Sequence, residues 1–274
     1  MKRIVSFDLD MTLLDHGPAR YGRMSAIPES AKRALDALRG HAHIVLATGR
    51  DMGNYSSRGF LGPVNPDAVI HNNGARVTVG DEVIYEYRMD RALIRDVLDF
   101  CVAHGICMGA TIGELDYYTH PEGIQMDRRV RFGMKDREFG DPYELLGMEV
   151  HSLAHVGDSN SRAGLVEAFP GLKFLPFSAD FGADVVEQAV SKAEGLRKLC
   201  DYWQSPISGA VAFGDSLNDY EIVRDAGTGV AMGNAVQALK DVADYVTAPI
   251  DEDGIWKACV ALGILGEDGR YIGQ

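Results

Sequence analysis

No stretch of the 274-residue chain approaches the roughly 18 uninterrupted apolar residues that a membrane-spanning helix needs, so no membrane partner is expected. Cysteine is sparse: Cys101, Cys107, Cys200 and Cys259 form no Cys-x-x-Cys pair and sit among apolar neighbours, as in "LDFCVAHGICMGA". They read as buried, reduced thiols. The eight histidines form no metal-binding pattern either; His151 and His155 are four apart, but "MEVHSLAHVG" has the pattern of a strand, not a helix that would align them. Positive charge is short, with 27 Lys and Arg against 40 Asp and Glu and a formal net charge of −13. Such a surface repels nucleic acid and acidic lipid, and the best basic stretch, "DRRVRFGMKDR" at 127–137, is interrupted by acids. An anionic substrate would therefore need positive charge supplied locally, by a metal or a few placed side chains.

The chain opens almost at once on a strand pattern with no signal-peptide signature, and a cytoplasmic protein is expected. With 46% hydrophobic and 24% charged residues it can bury a substantial core, in one large or two ordinary domains.

Several short apolar runs end in Gly, Asp, Asn or Thr: "RIVSF" before Asp8, "HIVLA" before Thr48, "DAVIH" before Asn72, "GAVAF" before Gly214 and "TGVAM" before Gly233. Runs without polar alternation suit strands buried on both faces, the habit of a parallel sheet covered by helices. "IPESAKRALDALRG", "SKAEGLRKLCDYW" and "AVQALKDVADYV" carry the helical spacing between them. The fold class is α/β, with a doubly wound parallel sheet. Ligands of such sheets bind at the carboxyl ends of the strands, where Asp8, Asp10, Thr48, Asn72 and Asp215 all fall.

The middle of the chain changes character. "ARVTVGDEVIYEYRM" predicts a hairpin turning at Gly80-Asp81, and "DRALIRDVLDFCVAHG" an amphipathic helix with Leu93, Val97, Phe100 and Cys101 on one face. A faint helix-strand-strand pattern then appears twice. The expected organisation is a core made of residues 1–83 and 185–274, interrupted by an inserted α+β domain at 84–184.

Asp8 and Asp10 raise a chemical question. Residues two apart in a strand share a face, so two like charges at the end of an apolar run repel each other unless a cation or a reaction uses them. The segment "FDLDMTL" resembles the first motif, D-x-D-x-T, of the haloacid dehalogenase (HAD) superfamily. "LATGR" with Thr48, "SKAEGL" with Lys192, and "GDSLND" with Asp215, Asn218 and Asp219 resemble its later motifs, in the expected order. The stretch from "AVSKAEGLRKL" to "DEDGI" is most similar to the Cof-type phosphatases. One departure is Met11, where the family usually has glycine.

The resemblance implies a Rossmann-like core with an inserted cap of the C2 class, and a Mg²⁺-dependent phosphatase acting on a small phosphorylated metabolite, sugar phosphates first. By resemblance Asp8 is the nucleophile, and Asp8, the Asp10 carbonyl and Asp215 bind Mg²⁺, which favours oxygen ligands. Asp10 would serve as acid and then base, its protonated form favoured by the like charge of Asp8 while the metal pulls the other way. Thr48 would donate to a phosphoryl oxygen and Lys192 would place an ammonium beside it. Asn218 would donate to the phosphoryl group or a metal-bound water, Asp219 would orient Lys192 or a water, and Thr12 would fix the turn.

Other readings stay open. Arg50 could touch substrate or clamp the cap by a salt bridge, and Asn72 or Asn73 could reach substrate or simply form a turn with a hinge at Gly74. In the cap, Arg128, Arg129 and Arg131 could grip a second anionic group or lie solvated, and Tyr117 and Tyr118 could stack on substrate or pack a core. A phosphomutase of the same superfamily and a non-catalytic phosphate-binding regulatory protein are the competing functions. A monomer or small homo-oligomer is expected.

Overall fold

The computed structural model describes residues 2–16, 26–113, 115–122, 124, 138–177 and 181–273. The first half of the described chain contains β1 (Arg3–Phe7), α1 (Glu29–Leu38), β2 (Ala42–Ala47), β3 (Ala68–His71), β4 (Arg76–Val79), β5 (Glu82–Glu86), α2 (Arg91–His104), β6 (Cys107–Ile112) and β7 (Leu115–Tyr118). There follow β8 (Leu153–Val156), α3 (Ser159–Ala168), β9 (Leu172–Pro176), β10 (Gly182–Glu187) and α4 (Lys192–Tyr202). The chain finishes with β11 (Val211–Gly214), α5 (Tyr220–Asp225), β12 (Thr228–Ala231), β13 (Tyr245–Val246) and α6 (Gly254–Ala261). Among the described residues no helix is long and apolar enough to cross a membrane.

Two compact units divide the chain. One comprises Met1–Met52, Ser56–Glu86 and Ser191–Gln274; the other comprises Gly53–Tyr55 and Tyr87–Val190. The first is built on an eight-stranded sheet of order β13-β12-β11-β1-β2-β3-β4-β5. The strands from β13 to β3 run parallel, and the hairpin β4-β5 continues the sheet antiparallel, turning at Gly80 with φ +55°. Ile4, Val5, Ser6 and Phe7 are all buried, as an unalternating run predicts for a strand covered on both faces. Phe7 and Phe213 stack across β1 and β11 at 4.8 Å. Helix α1 turns Ala31, Ala34, Leu35 and Leu38 inward, and α4 approaches β3 so closely that a Cβ at Gly195 would lie 2.6 Å from Ile70. Because β1 has β2 on one side and the late strand β11 on the other, the winding reverses at β1, which opens a crevice at the carboxyl ends of these strands.

The second unit is an antiparallel sheet of order β7-β6-β8-β10-β9. Helix α2 begins on an Asp90 side chain that accepts from the Leu93 amide and ends at Gly105 with φ +68°. It buries Ile94, Val97, Leu98 and Cys101. The expected stripe is thus rotated: Leu93 and Phe100 line its edge, half-buried, because the helix packs with Met108, Tyr117, Leu153 and Val185 centred on Val97 and Leu98. All four cysteines are free and buried.

One further expectation changes. The segment "AVQALKDVADYV" is helical only over Gln237–Lys240; the Asp244 carboxylate accepts from the Gly229 amide and draws the chain into the sheet as β13. Strand β5 runs on to Glu86, paired with Arg76, and β10 to Glu187, paired with Leu172. Tyr117 is buried in the core of this unit and Tyr118 in a smaller cluster with Cys107 and Ile124. Arg128, Arg129 and Arg131 lie outside the described residues.

Candidate active site

Strand β1 stops at Phe7, but the Asp8 amide still donates to the Phe213 carbonyl (3.0 Å), which seats Asp8 beside β11. The chain then leaves the sheet in a tight turn, with the Leu13 and Leu14 amides both donating to the Leu9 carbonyl. Met11 occupies the turn at φ +65°, the left-handed conformation in which glycine carries no Cβ penalty. The family's glycine and this chain's methionine therefore answer the same backbone demand, the methionine at some strain. Asp10 lies in this turn and not in the strand, so strand alternation does not set the direction of its side chain.

Lys192, fully buried at the first turn of α4, donates to Asp8 Oδ1 (2.6 Å) and to Asp219 Oδ1 (2.7 Å). The Ser191 side chain caps that helix by accepting from the Glu194 amide. Asp219 Oδ2 accepts from the amides of Asp215 (3.0 Å) and Ser216 (3.1 Å), and the Thr12 hydroxyl donates to Asp215 Oδ1 (3.2 Å). Carboxylate oxygens of Asp8, Asp215 and Asp219 lie within 4.8 Å of one another, all three residues buried. Thr48 is buried at the end of β2, where its hydroxyl accepts from the Arg50 amide (3.1 Å). The Asn218 amide bonds Ser216 and Asn73.

This geometry sets the electrostatics. Burial pushes Asp8 above the usual carboxylate range; Lys192 opposes the shift, and the charges of Asp219 and Asp10 add to it. Burial also raises Asp215 well above that range, reinforced by Asp8 and Asp219. Burial alone would lower Lys192, but the two carboxylates on it prevail and hold it above its ordinary value. Three carboxylates facing one ammonium leave an excess of negative charge in a buried, oxygen-lined place. That donor set suits a hard divalent cation. Among the described residues, Asp219 has both oxygens engaged by the protein, while Asp8 and Asp215 each have one outside such a bond. Asp8 and Asp215 could therefore hold the ion, with Asp219 as the residue that holds Lys192.

Asp10 differs from expectation. Arg50 grips its carboxylate with two bonds, Nε to Oδ2 (2.8 Å) and Nη2 to Oδ1 (2.6 Å), and His16 Nε2 lies 2.8 Å from Oδ1. Partial burial pushes Asp10 up, but these hydrogen bonds and the Arg50 charge outweigh it and hold the group well below the usual carboxylate range. Like-charge repulsion from Asp8 does not dominate, because the Arg50 guanidinium is in direct bidentate contact with the carboxylate. Sequence reasoning does not join residues 10, 16 and 50: it gives Arg50 a substrate contact or a salt bridge to the cap, and nothing in "LLDHG" marks His16.

The whole chain has relatives. A family model described as haloacid dehalogenase-like hydrolase matches residues 5–259. YkrA of Bacillus subtilis (strain 168) is 31% identical over 275 residues, covering 96% of this chain and 98% of its own length. The 5-amino-6-(5-phospho-D-ribitylamino)uracil phosphatase YitU of the same organism is 26% identical over 276 residues, covering 92% of this chain and 94% of its own. The solved structure of the HAD subclass IIB sugar phosphatase BT4131 superposes with a TM-score of 0.83 at 28% identity, over 96% of this chain and 100% of that one.

Proposed function

This chain belongs to the haloacid dehalogenase-like hydrolases, and on that premise we propose that it is a Mg²⁺-dependent phosphatase that hydrolyses a small phosphorylated metabolite through an aspartyl phosphate on Asp8. The observation that carries this reading is the buried cluster at the winding reversal: Lys192 bridging Asp8 and Asp219 at 2.6 and 2.7 Å, with Asp215 within reach of both carboxylates. Simple anion binding has no use for such a surplus of buried negative charge.

Asp8, the Asp10 main-chain carbonyl and Asp215 would hold Mg²⁺, whose chemical contribution is to cancel charge between an anionic nucleophile and a phosphate dianion. Asp8 attacks phosphorus and the ester oxygen leaves. Lys192 keeps its proton, since its two carboxylate partners favour the charged form, and offers an ammonium to the transferring group. Thr48 and Asn218 donate to phosphoryl oxygens. Asp10 gives a proton to the leaving oxygen and takes one from the water that then hydrolyses the acyl phosphate. With both of its oxygens gripped by Arg50, Asp10 must exchange that partner before it can carry a proton; an arriving anion competes for the guanidinium and provides the occasion.

The unit of residues 87–190 acts as the cap that selects the leaving group. The sugar phosphatase among the structural neighbours and the phosphoribitylamino substrate in the name of YitU support a phosphorylated sugar or sugar-like alcohol as the substrate class.

The test is phosphate release from a panel of phosphorylated sugars, sugar alcohols, nucleotides and pyridoxal phosphate, with and without Mg²⁺. Release that requires Mg²⁺ and falls about 10²- to 10⁴-fold in Asp10→Asn is the expected result. Binding without release from any compound would sink the hydrolase reading in favour of a mutase or a regulatory protein.

A further inference from the structure

We propose that Asn73 is a positioning residue for the phosphoryl site, acting through the Asn218 amide. The chain leaves β3 through three consecutive residues in the left-handed region, Asn72 (φ +48°), Asn73 (φ +56°) and Gly74 (φ +107°). Residues bearing a Cβ adopt this conformation at a cost, asparagine at a smaller one than most. The turn is pinned to the end of β2: the Asn72 amide donates to the Arg50 carbonyl (3.2 Å) and the Asn73 amide to the Thr48 carbonyl (3.0 Å). It is also pressed against the residue that caps α4, since a Cβ at Gly74 would lie 1.9 Å from the Ser191 carbonyl oxygen. One turn therefore touches the segments that carry both Thr48 and Lys192.

Glycine would satisfy this backbone better at position 73, so what asparagine adds is its side chain. That side chain is buried, and its Oδ1 accepts from Asn218 Nδ2 (3.0 Å), while Asn218 Oδ1 accepts from the Ser216 hydroxyl (2.6 Å). Asn73 and Ser216 thus fix both ends of the Asn218 amide, which leaves the second Nδ2 hydrogen aimed in a set direction. Across 145 positions of sequence, the turn after β3 orients a donor in the loop after β11.

This inference rests on the phosphatase reading, and a double-mutant cycle separates the two. Asn73→Gly keeps the left-handed backbone and removes the whole side chain, the acceptor for Asn218 included. We expect it to melt near the native temperature and to lose about 10- to 100-fold in kcat/KM. The same substitution placed in Asn218→Ala should cost little more, because the group it orients is gone. An unchanged kcat/KM in Asn73→Gly, or an equal loss in both backgrounds, overturns the proposal. If the native protein releases no phosphate from any substrate, the phosphatase reading fails by itself. The cycle is then read by calorimetry in the binding of inorganic phosphate with Mg²⁺, where coupling between the two asparagines supports the proposal and additivity overturns it.

Discussion

The two units bury polar side chains for different ends. In the first, Asp8, Thr48, Lys192, Asp215 and Asp219 are withdrawn from water around the carboxyl ends of parallel strands, where Lys192 ties the Asp8 and Asp219 carboxylates together. In the second, the buried Thr119 closes the backbone, its hydroxyl accepting from the Met108 amide (3.0 Å) and donating to the Ile106 carbonyl (2.6 Å), while the exposed Asp90 and Asp158 cap α2 and α3. Among the described residues, the one group of three acidic, histidine or cysteine side chains that could share an ion lies in the first unit. Burial of polarity is thus not itself a sign of chemistry; unbalanced charge within the buried set is.

The largest expected effect of breaking this contrast is at Asp8. Asp8→Asn is nearly isosteric and should cut phosphate release on the order of 10⁴-fold or more, as loss of a nucleophile does, measured by single-turnover release. Removing divalent metal with a chelator should abolish turnover and restore it on adding Mg²⁺. It should also leave a signature in stability. Burial raises Asp8 and Asp215, so the metal-free folded state binds more protons than the unfolded chain once pH exceeds the ordinary carboxylate range. The stability of the metal-free protein should therefore fall as pH rises through that window, and Mg²⁺ should flatten the fall; a denaturant midpoint series with and without the ion reads this.

Lys192→Met removes the ammonium between two buried carboxylates. The expected cost is about 3 to 5 kcal/mol, the penalty for leaving buried charge without its partner, and activity should be lost with it. The matching change in the second unit is smaller and of a different kind. Thr119→Val leaves the Met108 amide and the Ile106 carbonyl without that partner and should cost about 1 to 3 kcal/mol in urea unfolding, while phosphate release below the melting temperature stays at the native level. Should Thr119→Val disturb catalysis as much as stability, the division of labour between the units would not hold.

Much of the architecture was legible because its signals are local. "RIVSF" and "GAVAF" announce doubly covered strands through the absence of alternation, and Gly80-Asp81 announces a turn through the chemistry of its own two residues. Both properties depend on neighbours in sequence. The helical spacing of "AVQALKDVADYV" is equally local, and there it misled: a distant bond between Asp244 and the Gly229 amide outweighed it. The site was readable as separate strand-end residues, while of its pairings only Asp219 with Lys192 was offered, by the family resemblance. Thr12 meets Asp215 across 203 positions, Lys192 meets Asp8 across 184, and Arg50 meets Asp10 across 40.

Residue types and spacing were enough to establish an α/β chain with carboxylates, a threonine and a lysine at its strand ends, since periodicity and turn chemistry act over a few residues. Only the folded sheet, by making β11 and β2 the neighbours of β1, decided that Asp10 is gripped by Arg50 and His16 and that Asn73 reaches Asn218. Those choices turn on distances of about 3 Å between groups far apart in sequence, and no local propensity carries that information.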